Sequence, residues 1–212
     1  IRDRSWAVRT KAILLALGYA GIRLLIVRRT YQELESNHIR ILRPQLAQVA
    51  EYKATTRTFT FLNGSTLEFG YCASDGDMDR YQGAEYDVIF LDECTQLREQ
   101  WMRQFAACLR GVNDFPKRIY YTCNPGGPGH SYIKRLFIDR RFEPGENPDD
   151  YVFIPARVTD NKALLAAQPD YLKQLEALPR RLRQAWLEGR WDIFQGQVFS
   201  EFQKYLLDHK QL

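Results

Sequence analysis

The sequence of 212 residues predicts an α/β fold with a mainly parallel sheet flanked by helices. Short apolar runs alternate with helix-forming segments, which is typical of parallel strands joined by helices. The clearest apolar run, residues 88–91, contains no polar residue. Such a run is expected for a strand that is covered on both faces. The length suffices for one sizeable core, so one domain or slightly more is expected.

The first elements are a helix, a strand and a second helix. Residues 6–17 are rich in helix formers, and glycines follow at their end. Residues 22–27 (IRLLIV) are typical of a buried strand. Helical character then resumes over residues 31–49. This order of elements already favours the α/β class.

A hairpin is predicted next. Asn63-Gly64 stands between the segments 56–62 and 66–69, which are rich in threonine and phenylalanine. An Asn-Gly pair between such segments is the strongest short-range signal for a hairpin. A loop rich in glycine and aspartate is expected at 74–78. Its aspartates lack the downstream glycine and glutamate of a calcium loop, so they are interpreted as solvated loop residues.

The second half of the chain continues the alternation. Residues 96–110 predict a helix, 118–123 a strand, and 130–138 a further helix. Between the last two, residues 124–129 (NPGGPG) can only form a loop. Residues 151–155 predict a final short strand.

Residues 170–191 predict a final helical segment. They are charged, helical in composition and contain Trp186 and Trp191.

Two adjacent carboxylates, Asp92 and Glu93, directly follow the strand at 88–91. Ligands of parallel α/β sheets bind beyond the carboxyl ends of the strands, so both acids are expected in that crevice. Nucleotide hydrolysis uses such a pair: one carboxylate holds Mg²⁺ through its water shell, and the next activates the attacking water. This is the Walker B pattern of an ATPase, although apolar runs ending in two acids also arise by chance.

A second polar strand end is predicted at Thr122 and Asn124. If their strand neighbours the Walker B strand, both side chains lie beside the two acids. Residues in such a place sense the γ-phosphate and pass its loss to a mobile loop. The alternative is a plain turn from a strand into a helix.

Three arginines are candidates for contact with phosphate. Arg28 and Arg29 close the strand at 22–27, where a guanidinium group can clamp phosphate or act as an arginine finger. Arg80 is a weaker candidate for the same role. A solvated charge pair explains Arg28 and Arg29 about equally well.

Bulk composition narrows the function classes. The net charge of +4 is compatible with a polyanionic partner without establishing one. The four cysteines form no C-x-x-C pair and the three histidines are dispersed, so neither a zinc site nor a disulfide framework is expected. No apolar run is long enough to cross a membrane. Basic residues cluster at 134–135, 140–141 and 180–183. These clusters fit contact with DNA phosphates, and solvated helix faces explain them nearly as well.

The order and spacing of several segments closely resemble the ATPase domain of the large terminases of tailed bacteriophages. The segments are VRRTYQEL, YQGAEYDVIFLDECTQL, YYTCNPGGPGHSYIKRLF and LEALPRRLRQAWLEGRWDIFQGQVFSEF. Together they cover nearly the whole chain, from about residue 6 to residue 202. The resemblance implies a P-loop NTPase fold of the additional-strand, conserved-glutamate class, which such proteins join to a nuclease domain.

Residue roles follow from this resemblance. It implies that Asp92 organises Mg²⁺ and that Glu93 polarises the attacking water. Thr122 and Asn124 match the coupling motif that links hydrolysis to movement. Residues 178–191 would form a subdomain that reaches toward the nuclease. The implied organisation is an ATPase core at 1–165, a helical linker subdomain at 166–202 and the start of a linker to the nuclease domain at 203–212. Because the family's first nuclease acid lies beyond a stretch like 199–209, no nuclease activity is expected from this chain.

The sequence departs from the family at its start. The P-loop, G-x-x-x-x-G-K-[ST], would end just before Trp6, where Asp3-Arg4-Ser5 stands instead. Arg4 offers positive charge without the glycine cradle, and Ser5 offers a hydroxyl for Mg²⁺. The P-loop strand is expected in the middle of the sheet, so upstream residues or a gap near residues 1–4 are suspected. If the chain is complete, weak or absent ATP binding is expected.

The resemblance implies a motor that couples ATP hydrolysis to translocation of double-stranded DNA into a procapsid, with Mg²⁺ as cofactor. Implied partners are the portal protein, the small terminase subunit and other copies in a ring, in the host cytoplasm and without a membrane. Two alternatives remain: another P-loop translocase or helicase, and a degenerate ATPase fold used for DNA binding or assembly.

Overall fold

A computed structural model describes residues 2–194 of the chain. One compact unit ends at Tyr132, and a second begins at Ile133. The predicted boundary at 165–166 therefore falls within the second unit, where it stays a prediction. The segment 203–212 and the end of the linker subdomain lie outside the described residues.

The first unit is built on a six-stranded sheet of order β2-β3-β4-β1-β5-β6. The strands are β1 (Arg23–Arg28), β2 (Ala50–Lys53), β3 (Thr58–Phe61), β4 (Thr66–Tyr71), β5 (Val88–Asp92) and β6 (Arg118–Thr122). The β1–β4, β1–β5 and β5–β6 pairings are parallel, while β2–β3 and β3–β4 are antiparallel. The predicted α/β class with a mainly parallel sheet is confirmed.

The helices of this unit are α1 (Arg2–Gly18), α2 (Tyr31–Leu34), α3 (Arg40–Leu46), α4 (Asp75–Met78) and α5 (Glu99–Ala107). A π-helical turn, Glu35–Ile39, joins α2 to α3. The first helical turn after β1 is fixed by a capping box between Thr30 and Glu33. Helix α6 (His130–Ile133) follows the loop after β6 and continues into a second π-helical turn, Lys134–Ile138.

The core lies mainly between the sheet and the helices α1 and α3. All residues of β5 are buried, and so are all those of β1 after Arg23. Apolar side chains of α1, α3, β3 and β4 pack in the same cluster. Burial of both strands on both faces explains why their sequences lack polar alternation.

The predicted hairpin is confirmed by the antiparallel pairing of β3 and β4. Gly64 has a φ of 82°, a conformation that a glycine adopts without steric cost. Strand β2 pairs with the outer side of β3 and was not predicted. It is short and alternates between half-buried and exposed residues, so it carries little local signal.

Two sequence predictions are wrong. The loop expected at 74–78 contains α4, because Ser74 and Asp77 form a capping box that closes a helical turn. No strand forms at residues 151–155. There Val152 and Ile154 are exposed, so this apolar stretch does not bury a face as a strand in a sheet would.

The second unit contains three short helices in its described part. They are α7 (Lys162–Ala167), α8 (Tyr171–Glu176) and α9 (Arg180–Trp186). Leu175 and Ala185 are their buried residues. The helical character predicted for 170–191 is confirmed. None of the helices in residues 2–194 combines the length and the apolar character that crossing a bilayer requires.

Candidate functional site

Asp92, the last residue of β5, is completely buried and lies at the centre of the site. Its Oδ2 accepts hydrogen bonds from Ser5 Oγ at 2.9 Å and from Arg28 Nε at 2.7 Å. The same oxygen lies 2.9 Å from His38 Nε2. Arg28 also donates to Ser5 Oγ at 3.0 Å. Three side chains from distant parts of the chain therefore converge on one carboxylate oxygen.

The fold explains this convergence. Strand β1 runs parallel to β5 with Val27 opposite Leu91, so Arg28 comes to the same sheet edge as Asp92. Ser5 lies in α1, near the helix N-terminus. His38 belongs to the π-helical turn that follows β1. Parallel strands bring their carboxyl ends to one edge, where ligands of such sheets bind.

The other oxygen of Asp92 faces β6. Thr122 lies opposite Asp92 in the parallel β5–β6 ladder. Its Oγ1 donates to Asp92 Oδ1, and it accepts from the backbone N–H of Glu93 at 3.4 Å. One threonine hydroxyl therefore connects both acidic residues to the strand that carries the predicted coupling motif.

The surroundings keep Asp92 ionised. Burial alone would raise the pKa of this carboxyl, but the His38 contact, the Arg28 charge and the Thr122 hydrogen bond hold its pKa well below the ordinary value. Burial lowers the pKa of His38, although Asp92 opposes this shift. A neutral imidazole that donates from Nε2 to an ionised carboxylate is consistent with both directions.

Glu93 differs sharply from its neighbour. Its backbone is left-handed, with φ 57° and ψ 44°, which costs a residue other than glycine on the order of 1 kcal/mol. Its Oε1 is buried and has no hydrogen-bond partner among the described residues. Burial and the neighbouring Asp92 charge raise the pKa of Glu93. A carboxylate with a raised pKa is a stronger base, as activation of water requires.

The first turn of α1 also contacts the loop after β6. The guanidinium group of Arg4 donates to the Cys123 carbonyl and, at 2.7 Å, to Asn124 Oδ1. Arg4 and Ser5 are adjacent in sequence, so this turn contacts both Asp92 and the loop that follows Thr122.

That loop is interlocked with the segment that follows Glu93. Thr95 Oγ1 donates to the Asn124 carbonyl at 2.9 Å, and Gly129 N donates to the Thr95 carbonyl at 2.9 Å. A Cβ added at Gly127 would overlap the Thr95 carbonyl, and one added at Gly129 would overlap the carbonyl of Leu97. The glycines therefore permit a backbone approach that no other residue type allows.

Comparison with known proteins identifies the family. A family model described as the N-terminal part of the terminase large subunit, T4likevirus-type, matches residues 6–204. The chain belongs to this terminase family. No curated protein sequence matches it.

Solved large terminases share the fold. The large terminase of a thermophilic bacteriophage is 18% identical with a TM-score of 0.67, over 86% of this chain and 44% of that chain. Its complex with ADP aligns with the same values. The large terminase ATPase domain of Thermus phage P74-26 is 12% identical with a TM-score of 0.55, over 90% of this chain and 84% of that domain. The terminase chain thus spans less than half of the first of these proteins. These matches are consistent with the predicted P-loop class.

Two of the three arginines predicted to contact phosphate make no contact with Asp92 in the described part of the terminase chain. Arg29 is exposed next to Arg28. Arg80 forms an ion pair with Asp77, and its guanidinium carbon lies 4.1 Å from the centre of the Tyr71 ring. Arg28 alone of these arginines contacts Asp92, as a buried counterion.

His38 is a site residue that the sequence does not predict, because three dispersed histidines indicate no metal site and suggest no other role. A usable signal exists: Leu34, His38 and Leu42 are spaced four residues apart, so they share one helix face. The apolar neighbours indicate that position 38 is buried, but nothing local indicates that it reaches Asp92.

The oxygen donors at this edge fit a magnesium ion. Mg²⁺ prefers oxygen ligands and usually takes only one or two from the protein, with water and substrate phosphates completing its shell. The Asp92 carboxylate and the Ser5 hydroxyl lie 2.9 Å apart and are both buried. The unpartnered Glu93 Oε1 is a fitting acceptor for a water next to such an ion.

Proposed function

We propose that this terminase chain hydrolyses ATP with Mg²⁺ and that hydrolysis drives double-stranded DNA into a procapsid. The observation that carries the proposal is the pair at the end of β5. Asp92 is buried, ionised and hydrogen-bonded to the Ser5 hydroxyl, while Glu93 beside it has a raised pKa and a carboxylate oxygen without a protein partner among the described residues. One acid suits a metal, and the other suits a water.

In this proposal, Asp92 and Ser5 hold the metal, and Glu93 activates the water that attacks the γ-phosphate. A bound magnesium ion would neutralise charge on the phosphate oxygens. Arg4 and the N–H groups of the first turn of α1 contribute to phosphate binding, since a helix N-terminus favours anions. The large terminase of the thermophilic bacteriophage was solved with ADP and with ATP-gamma-S, which supports nucleotide binding by this chain.

Thr122 and Asn124 couple the chemistry to movement. Thr122 touches Asp92 and the Glu93 backbone, and Asn124 touches Arg4. Loss of the γ-phosphate would change the contacts of Arg4 and Glu93, and the interlocked glycine loop would transmit the change toward α6. Because Gly127 packs closely against Thr95, movement of one segment should displace the other directly.

The arginines take different roles. Arg28 serves as the counterion that keeps Asp92 ionised, because it is buried and already paired. Arg29 is exposed at the same sheet edge, which suits contact with phosphate on a neighbouring copy in a ring. Arg80 is a weaker candidate for that contact, since Asp77 already pairs with it.

The proposed partners follow from the family. They are double-stranded DNA, the portal protein, the small terminase subunit and further copies of the chain, in the host cytoplasm. Contact with DNA phosphates would be weakened by salt. The exposed Arg180 and Arg181 on α9 are candidates for it. No nuclease activity is proposed for this chain.

The test compares ATP hydrolysis by the protein with that by Glu93→Gln. Loss of a general base costs about 100-fold or more in kcat, so the variant should hydrolyse at least about 100-fold more slowly while still binding Mg-ATP. Glu99→Gln, which changes an exposed glutamate of α5, is the control and should keep the wild-type rate. Both rates are measured with and without double-stranded DNA.

A wild-type rate in Glu93→Gln would refute the proposed chemistry. Separation of DNA strands by the protein would instead favour a helicase, and Mg-ATP binding that produces no turnover even with DNA would favour an assembly module.

A further inference from the structure

His38 is an unusual residue for its surroundings. Its side chain is fully buried, and the Asp92 carboxylate is its hydrogen-bond partner. The other ring nitrogen, Nδ1, is buried and has no partner among the described residues. Burying an unpaired polar atom is costly, and an apolar side chain of similar volume would avoid that cost. Packing alone therefore does not explain a histidine at this position.

The backbone around His38 places its side chain at the sheet edge that carries Asp92. His38 lies in the π-helical turn Glu35–Ile39 between two α-helical segments. Such turns widen a helix by one residue and often occur at functional sites. The capping box of Thr30 and Glu33 fixes the start of this helix two residues after Arg28, the last residue of β1. The imidazole is therefore delivered to Asp92 by a helix that is fixed at the same sheet edge.

The hydrogen-bond partners of Asp92 differ in whether their contacts must change during the proposed reaction. Ser5 is the proposed second metal ligand, so its hydroxyl must exchange Asp92 for the ion. Thr122 belongs to the proposed coupling motif, and its contact changes when that motif moves. Arg28 also donates to Ser5 Oγ, so its contacts change when Ser5 turns. His38 has no competing partner in either process, since Asp92 is its only hydrogen-bond acceptor among the described residues.

We propose that His38 is a positioning residue whose Nε2–H holds Oδ2 of Asp92 in place while Ser5 turns toward the metal. The inference rests on the proposed ATPase function. Partners of a metal-binding side chain orient that side chain, and their loss typically costs about 10–100-fold in metal affinity or activity.

Two substitutions of similar volume test the donor. In His38→Met the N–H is lost, whereas in His38→Gln an amide N–H stands near the position of Nε2. Binding of a fluorescent ATP analogue is titrated with Mg²⁺, and binding without Mg²⁺ is measured alongside. We expect His38→Met to need about tenfold more Mg²⁺ with unchanged metal-free binding, and His38→Gln to restore most of the affinity.

Two outcomes overturn the proposal. A wild-type Mg²⁺ requirement in His38→Met shows that the donor is dispensable, and equal impairment of both variants shows that the N–H is not what matters. Thermal unfolding of each variant is recorded as the control for folding.

If neither variant folds, NMR of the wild-type protein with ¹⁵N-labelled histidine decides. A His38 proton on Nε2 in a hydrogen bond supports the proposal, and a proton on Nδ1 alone overturns it. Failure of the proposed function would look different, because the wild-type protein would then show no Mg²⁺-dependent nucleotide binding at all. The same NMR measurement would decide the His38 contact in that case.

Discussion

Two buried aspartates stand at opposite ends of β5, and they are buried for different reasons. Asp87 immediately precedes the strand and is 2% exposed, while Asp92 ends it and is 0% exposed. The pKa of each carboxyl is lowered although burial alone would raise it, so both are held as carboxylates. Their partners separate a structural role from a functional one.

Asp87 is held by the scaffold. Its Oδ2 accepts the backbone N–H of Arg23 at 2.8 Å, and its Oδ1 pairs with Lys117 Nζ at 2.8 Å. Arg23 begins β1, and Lys117 directly precedes β6. The carboxylate therefore ties together the amino ends of three neighbouring strands. A backbone donor cannot leave without breaking the fold, so this site is static.

Asp92 is held by side chains from four separate segments. Ser5, Arg28 and His38 reach Oδ2, and Thr122 reaches Oδ1. Side-chain donors can exchange partners without unfolding the chain. The next residue, Glu93, is strained and keeps an oxygen without a partner among the described residues. Glu93 at the carboxyl edge therefore keeps bonding capacity free, whereas each carboxylate oxygen of Asp87 at the amino edge lies 2.8 Å from a nitrogen atom of the scaffold.

The largest expected difference comes from neutralising each aspartate in turn. Asp92→Asn should abolish Mg²⁺-dependent nucleotide binding. It should also lower the free energy of unfolding by about 3 kcal/mol, because Arg28 stays buried without its counterion. Asp87→Asn should cost only about 1 kcal/mol and leave nucleotide binding unchanged, since Lys117 is partly exposed. Urea unfolding and nucleotide titration measure both effects, and equal loss of binding in both variants would contradict the distinction.

A glycine at each edge extends the comparison. Gly127, at the carboxyl edge, has a φ of 92°, and a Cβ there would overlap the Thr95 carbonyl. Gly64, at the amino end of β4, has a φ of 82° and open space around it. Replacement by alanine strains both backbones, but only Gly127→Ala also overpacks the structure.

We expect Gly127→Ala to lower the free energy of unfolding by about 1–3 kcal/mol more than Gly64→Ala. It should also uncouple nucleotide hydrolysis from DNA stimulation. Thermal unfolding and DNA-stimulated ATPase rates provide the measurements. Equal melting temperatures for the two variants would mean that the loop is not held against Thr95.

The smallest effect is the pH dependence contributed by Asp87. Because its pKa is lower in the folded than in the unfolded chain, the unfolded chain binds the proton first as the pH falls. The stabilisation is therefore present above the unfolded-state pKa of about 4 and is lost as the pH drops toward the folded-state value. Lys117→Met should remove on the order of 1 kcal/mol of this pH-dependent stability. Urea unfolding from neutral to strongly acidic pH measures it, and an unchanged slope in the variant would show that the ion pair contributes nothing.

Local sequence patterns were sufficient for much of the scaffold. The apolar runs of β1 and β5, the Asn63-Gly64 hairpin and the strand β6 were all predicted. Strands β1 and β5 carry a local signal because both of their faces are buried, and the hairpin carries one through its turn residues. The edge strand β2 escaped prediction because it is short and half exposed. The apolar residues 151–155 were misassigned because a strand also needs a partner, which sequence alone does not reveal.

The sequence by itself determined the fold class, the terminase family and the adjacency of Asp92 and Glu93. Tertiary structure decided what surrounds them. His38 and Ser5 lie 54 and 87 residues from Asp92 along the chain, and they meet it because the first turn of α1 and the π-helical turn after β1 both lie at the carboxyl edge of the sheet. The left-handed backbone of Glu93 and the π-helical turn of His38 also depend on packing, since no local signal favours either.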